Sequence, residues 1–213
     1  MSSSPRRREM LAWANWSINL ASSYINESIR MGEQPEDYVK RLAAAKSKAL
    51  DKIPQEDFVI AADTIVVLGE LILGKPNNEA HAFQILSELR GKPHKVITAV
   101  AVRQGGQDEP IIDICRTEVK MREYSDEEII RYIESGDPMD KAGAYAIQNH
   151  CFQPAVNFCG CIASVMGLPL CHLERTLRQF SHYQKTNWPQ ICKANLKYDC
   201  EISERVLAGE NIG

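Results

Sequence analysis

The stretch from Ala61 to Pro76, AADTIVVLGELILGKP, limits the possible folds of this chain more than any other. It carries an acid, Asp63, inside an apolar run, and a lysine, Lys75, twelve residues later behind Gly74. Asp63 follows Phe58-Val59-Ile60-Ala61-Ala62 and precedes Thr64-Ile65-Val66-Val67-Leu68. Runs this rich in β-branched and apolar residues predict buried strand. A carboxylate inside such a strand is costly to bury unless it meets a partner or a metal. Asp63 is therefore the first candidate for chemistry, with a strand-end acid that closes a turn as the alternative. The same stretch fits G-x-x-x-x-G-K from Gly69 to Lys75. A phosphate-binding loop of that kind needs Ser or Thr next and a helix beginning there. Pro76 follows instead, and Leu71-Ile72-Leu73 suits a strand. A hairpin through Leu68-Gly69-Glu70 is expected, with Lys75 delivered at the end of its second strand.

A chain of 213 residues can bury one large core, in one or two lobes. Its net charge of -3 argues against binding a nucleic-acid polymer in general, but leaves room for a local basic pocket. No stretch is apolar for long enough to span a membrane, because Asp63 and Glu70 interrupt the best one. No apolar segment follows Arg6-Arg7-Arg8, so no secretory signal is expected. Seven cysteines, an odd number, then read as reduced thiols in a cytoplasmic protein. His150, Cys151, Cys159, Cys161, Cys171 and His172 lack the paired spacing of a zinc site, so buried thiols are the expectation.

Ser4-Pro5 starts a helix whose first turn holds Arg6 and Arg7. Cations there oppose the helix dipole, and with the free N–H groups they suggest an anion site; an ordinary basic helix face is the alternative. Residues 16–29 read as strand and loop, with Glu27 lacking a local partner. Pro35 to Asp51 reads as a helix projecting Lys40, Arg41, Lys46 and Lys48. Asn77 or Asn78 caps a helix over 79–89, strands follow at 94–102 and 111–121, and Ser125 to Glu128 forms a near capping box. Asp140 and the small residues after it predict a tightly packed short helix, and Pro169 to Phe180 an amphipathic one. Residues 181–213 read as a polar, irregular extension, anchored on the body through Trp188, Cys192, Tyr198 and Cys200.

Four motifs in order resemble the Maf family of nucleoside triphosphate pyrophosphatases. They are Ser4-Pro5-Arg6-Arg7, Ala62-Asp63-Thr64 with Gly74-Lys75-Pro76, Asp140-Lys141-Ala142-Gly143-Ala144-Tyr145 with Ile147-Gln148, and Val165-x-Gly167-Leu168-Pro169. Glu27, Lys46 and Gly91-Lys92-x-His94-x-Val96-x-Thr98 also match, so the likeness spans residues 1–180 and leaves 181–213 as an extension. The resemblance implies an inosine-triphosphatase-like α/β fold: a long mixed sheet flanked by helices, with a cleft between two lobes. It implies cleavage of a nucleoside triphosphate to the monophosphate and pyrophosphate with a divalent metal, Mg²⁺ or Mn²⁺. Homodimers are common for this fold. Thr64 and Gln148 resemble the branch acting on dTTP and UTP. Carried over, Asp63 would be the proton acceptor, and Arg6, Thr64 and Gln148 would select the substrate. The charges of a triphosphate then suggest that Glu27 and Asp63 hold the metal, while Arg7, Lys46, Lys75 and Lys141 meet phosphate oxygens.

Three departures stand beside this likeness. Family members begin with a short strand ending Leu-Ala-Ser; Met1 stands where that Ala would be, so an unpaired neighbouring strand is expected. The family's glycine-rich loop after Ile-Gln is here Asn149-His150-Cys151-Phe152, which opens the way to another nucleotide. The extension beyond residue 180 matches no motif. A nucleotide-binding regulator of septum formation with little turnover is the alternative reading.

Overall fold

The apolar run around Asp63 forms strand β1, Phe58–Leu68, in the computed structural model, which describes residues 4–21 and 23–213. Residues 1–3, where the first departure falls, lie outside the described residues. A two-residue turn at Gly69-Glu70 returns the chain as β2, Leu71–Leu73, with Leu68 opposite Leu71. Gly69 takes the positive φ of 61° that such a turn requires. Strands β3, Pro93–Gln104, and β4, Ile111–Lys120, complete a sheet ordered β2-β1-β3-β4. Every pairing among the described residues is antiparallel.

The α/β architecture expected from the sequence is present, but the described sheet is antiparallel where a mixed one was expected. Part of the reason is connectivity. The β1–β2 turn and the short 105–110 loop between β3 and β4 can only join antiparallel neighbours. The described residues among 16–29, read as partly strand, form none, and Ile18, Leu20, Tyr24 and Ile29 are exposed.

Strand alternation sorts the core. Ile65, Val67, Ile97, Ala99, Ala101 and Ile114 point to one face, covered by α2, Pro35–Lys48, through Val39 and Ala43. The opposite face carries two separate clusters. At one end Val66, Val96 and Val119 pack under α3, Glu79–Leu89, and α4, Asp126–Glu134. At the other end Ala62, Val100 and Val102 pack with Met10 of α1, Pro5–Ala12, and with α5, Ile162–Val165, and α6, Leu170–Leu177. Thr64 and Thr98 are opposite one another in register between these two clusters. Local signals hold the helices as the sequence suggests. Asn78 caps α3, and Ser125 with Glu128 closes a reciprocal capping box on α4.

The C-terminal extension is more ordered than its polar sequence suggested. It forms α7, Trp188–Leu196, and α8, Ser203–Leu207. Asn187 accepts a hydrogen bond from the Gln190 N–H, and Pro189 occupies the first turn where its missing N–H costs nothing. Trp188 is fully buried, with its ring edge-on to Trp16 at 5.1 Å. The buried Glu174 carboxylate fastens the start of the extension by accepting from Arg178, from Tyr183 and from the Thr186 N–H. Trp188→Ala should cost about 3–5 kcal/mol of stability through the cavity it leaves. Equilibrium urea unfolding checks this, and a loss below about 1 kcal/mol would show that the extension is not part of the cooperative unit.

Candidate active site

The cleft opens at the edge of β1 where β2 stops. β2 pairs only with Val66, Val67 and Leu68, so among the described residues Asp63 and Thr64 pair only with β3 on their other side. Alternation sends Asp63 towards α2 and Thr64 towards the gap between the two clusters. Val39, Leu42, Ala43 and Lys46 fall at i, i+3, i+4 and i+7 of α2, which is one helix face. The first three are buried apolar residues. The same geometry brings the Lys46 ammonium to the Asp63 carboxylate, where the two form a close ion pair. Glu27 Oε1 approaches the same ammonium at 2.8 Å from the 16–33 segment. Tyr38 Oη donates to the Glu27 carbonyl at 2.8 Å and holds that segment against α2.

Asp63 is only 8% exposed. Burial raises its carboxyl pKa above the ordinary aspartate value, the positive charges of Lys46 and Arg7 oppose the rise, and Glu27 adds to it. Burial dominates, which leaves Asp63 as a carboxylate with a stronger than usual tendency to take up a proton.

On the other side of the strand, Arg7 reaches in from the first turn of α1. Its Nε donates to the Gly167 carbonyl at 2.7 Å, and one terminal nitrogen donates to Thr64 Oγ1 at 3.1 Å. Thr98 Oγ1 lies 3.0 Å from Thr64 Oγ1 and 2.8 Å from the Ser164 carbonyl. Gly167 has a φ of 107°, and an added Cβ would press on Thr64 Oγ1 at 3.2 Å and Arg7 Nε at 3.3 Å. Glycine is needed here both for the conformation and for the close approach.

A third group closes the cleft from the 3-10 turns Asp137–Asp140 and Ala142–Ala144. The Gly143 N–H donates to the Gly74 carbonyl at 3.0 Å, docking this loop onto the end of the hairpin beside Lys75. Lys141, buried, lies 2.6 Å from Asp140 and 3.0 Å from Asp137. Arg6 approaches Asp140 at 3.6 Å. Burial works to raise the Asp140 carboxyl, but the hydrogen bond and charge of Lys141, with Arg6 behind them, hold it below its ordinary value.

All nine candidate residues read from the sequence line this one cleft of about 410 Å³: Arg6, Arg7, Glu27, Lys46, Asp63, Thr64, Lys75, Lys141 and Gln148. Five of its side chains are basic, and Glu27, Asp63 and Asp140 are its carboxylates. That balance suits a polyanion. The loop after Gln148 lacks the family's glycines and is organised in another way. Asn149 Oδ1 accepts from the N–H groups of Cys151 and Phe152, and Phe152 stacks on Tyr132 at 4.2 Å. The sequence reading missed Asp137, Tyr38 and Thr98 as parts of the site. Asp137 left a usable signal, an acid one helical turn before Lys141, and Thr98 lies in the Gly91–Thr98 stretch that matches the family.

A model of the Maf family, described as Maf-like protein, matches residues 1–180. The chain belongs to the Maf family. It is similar to the dTTP/UTP pyrophosphatase of Photorhabdus laumondii, 43% identical over 182 residues, covering 84% of this chain and 91% of that protein. The dTTP/UTP pyrophosphatase of Geotalea uraniireducens is 42% identical over 178 residues, with 84% and 92% covered. That of Bacillus cereus is 41% identical over 180 residues, with 84% and 93% covered.

Replacing Lys46 by Met leaves the Asp63 anion buried without its nearest cation. The Asp63 titration, followed by carboxyl carbon chemical shift, should then move to higher pH than in the wild type. An unchanged midpoint would mean that Lys46 does not set the charge state of Asp63.

Proposed function

We propose that this Maf protein hydrolyses dTTP and UTP to the nucleoside monophosphate and pyrophosphate, with the triphosphate held in the cleft between Asp63 and the basic residues. The observation that carries the reading is the convergence of a proton-seeking carboxylate and five cations on one cleft, in a Maf chain 43% identical over 182 residues to a dTTP/UTP pyrophosphatase. Asp63 is the base that takes the proton of the attacking water. Its raised pKa strengthens it for that task, since a base works best when its pKa approaches the working pH. The bond that breaks joins the α-phosphorus to the oxygen bridging to the β-phosphorus, and pyrophosphate leaves with the electron pair.

Arg6, Arg7, Lys46, Lys75 and Lys141 meet the phosphate oxygens. Two N–H groups of Arg7 are committed to Gly167 and Thr64, which fixes the plane of its guanidinium and leaves three for the ligand. Such fixed donors stabilise the charge that builds up around phosphorus without reorganising during the reaction. Glu27 and Asp63 fit a divalent cation, because their carboxylate oxygens already converge on one positive centre, the Lys46 ammonium. A Mg²⁺ or Mn²⁺ ion held there would add charge neutralisation for the triphosphate oxygens. Gln148 reads the base, since its amide can donate and accept at once against the imide edge shared by thymine and uracil. Among the described residues no helix is long and apolar enough to cross a membrane.

Pyrophosphate release should be fastest from dTTP and UTP in a panel that includes CTP, 7-methyl-GTP and the purine triphosphates. Asp63→Asn should lower kcat by about 10²–10⁴-fold while calorimetry still detects nucleotide binding. Wild-type activity in that variant would overturn the assignment of the base. Because Asp63 must be ionised to act, kcat/KM should rise with pH through its raised pKa and fall away below it. Gln148→Ala should cost about tenfold in kcat/KM for UTP, the effect of one lost hydrogen bond, and little for poor substrates.

A further inference from the structure

Outside the cleft, four of the seven cysteines come together. A small cavity is lined by Cys161, Cys171, Cys192 and Cys200, with Tyr198 and Ser203. Among the described residues no group of three or more His, Cys, Asp and Glu is arranged to hold a metal ion. All seven cysteines are free.

Two of the thiols stand apart by their geometry. Cys161 begins α5, and its Sγ accepts the Ser164 N–H at 3.3 Å as the cap of that helix. Cys200 lies in the extension, between α7 and α8. The two segments run against each other. The Gly160 N–H donates to Tyr198 Oη at 3.1 Å, and Cys200 Sγ lies 3.6 Å from the Gly160 carbonyl. Cys161 and Cys200 line that one cavity, Cys200 Sγ lies against the residue that precedes Cys161, and the thiols of Cys200 and Cys115 both act on the titration of Cys161. Access separates the three. Cys115 and Cys161 are buried, whereas Cys200 is partly exposed.

We propose that Cys161 and Cys200 form a reversible dithiol–disulfide site that takes a low-molecular-weight disulfide as its oxidant. The thiolate of Cys200 attacks one sulfur of the small disulfide, forming a mixed disulfide and expelling one small thiolate. Cys161 gives up its proton and attacks Cys200 Sγ, forming the Cys161–Cys200 bond and expelling the second. Two protein thiols are oxidised, and one small disulfide is reduced to two thiols.

The environment supports this order. The Cys161 hydrogen bond lowers the Cys200 pKa to about 7 against the cost of burial, with backbone N–H groups of Ile202 and Ser203 assisting. A substantial thiolate fraction is therefore present at neutral pH, which favours attack. Cys161 is pushed the other way by its thiol neighbours and holds its proton until the mixed disulfide forms. The bond would fasten the extension to the residue that starts α5, the helix leading to Gly167 and Arg7. This site does not depend on what the cleft turns over.

The test is to incubate the reduced full chain with glutathione disulfide, alkylate the remaining thiols, and map the peptides by mass. The expected result is loss of two alkylatable thiols and a linked Cys161–Cys200 peptide pair, reversed by dithiothreitol. Cys161→Ser should stop at a glutathione adduct on Cys200. Cys200→Ser should show no cross-link, with its circular dichroism unchanged. Glutathione adducts confined to the exposed Cys151 and Cys159, a Cys115–Cys161 link instead, or retention of all seven thiols would each overturn the proposal. If a variant folds poorly, the wild-type map alone decides.

Discussion

The Lys46 ammonium, held between Asp63 and Glu27, is the contact on which the rest of the arrangement depends. Asp63 sits in a strand whose neighbours on the same face are Ile65 and Val67, so its charge has little water to rely on. The helix that covers this face must therefore bring a cation to it. α2 does so by extending its apolar stripe one further turn, from Leu42 and Ala43 to Lys46. Breaking a buried pair of this kind typically costs about 3–5 kcal/mol, because it leaves the remaining charge unpaired. The contact thus fixes where α2 lies and which way the Asp63 carboxylate points. Glu27 shares the ammonium from outside, which ties the exposed 16–33 segment to the same point.

Five basic side chains in one cleft repel one another unless something offsets them. The fold offsets them in pairs: Lys46 with Asp63 and Glu27, Lys141 with Asp137 and Asp140, and Arg6 with Asp140. Arg7 is held instead by the Gly167 carbonyl and the Thr64 hydroxyl, both uncharged. Burial lowers the Arg7 pKa, with Asp63 opposing, and among the described residues neither Arg7 nor Lys75 makes an ion pair. An arriving phosphate would gain most from those two cations. Such a concentration of charge adds little to stability, and it is the kind of local conflict expected at a site that binds a charged ligand.

Much of this was legible in the sequence wherever the signal was local. The β1–β2 hairpin follows from Gly69 between two apolar runs, and the Ser125–Glu128 capping box from its spacing. The nine cleft residues could be named because the motifs that carry them occur in family order. Contacts that depend on register were not legible. Thr98 closes a stretch that matches the family, but it meets Thr64 only because β3 pairs with β1 in the observed register, which the motif does not state. Asp137 stands four residues before Lys141, a spacing that signals the pair, but its bonds to Tyr132 and Asn149 appear only in the fold. The extension was misread for a different reason. Its helices are short, and their stability comes from burying Trp188 and Val206 against the body more than from periodicity. The Asn187-Trp188-Pro189 cap was the one local signal available.

Asp137 also bears on how the cleft measures its ligand. One of its oxygens lies 3.0 Å from Lys141 Nζ, and the other accepts from Tyr132 Oη at 2.7 Å and from Asn149 Nδ2 at 3.1 Å. Asn149 in turn shapes the loop that follows Gln148, through its bonds to the N–H groups of Cys151 and Phe152. A single carboxylate therefore positions both a cation assigned to the phosphates and the loop assigned to the base. A glycine-rich loop would owe its shape to backbone freedom alone; this one owes it to Asn149 and to the stacking of Phe152 on Tyr132. Under the proposed function, this one anchor would set the distance between the two ends of the nucleotide, and a base of the wrong size would not be accommodated by moving the loop without also disturbing Lys141.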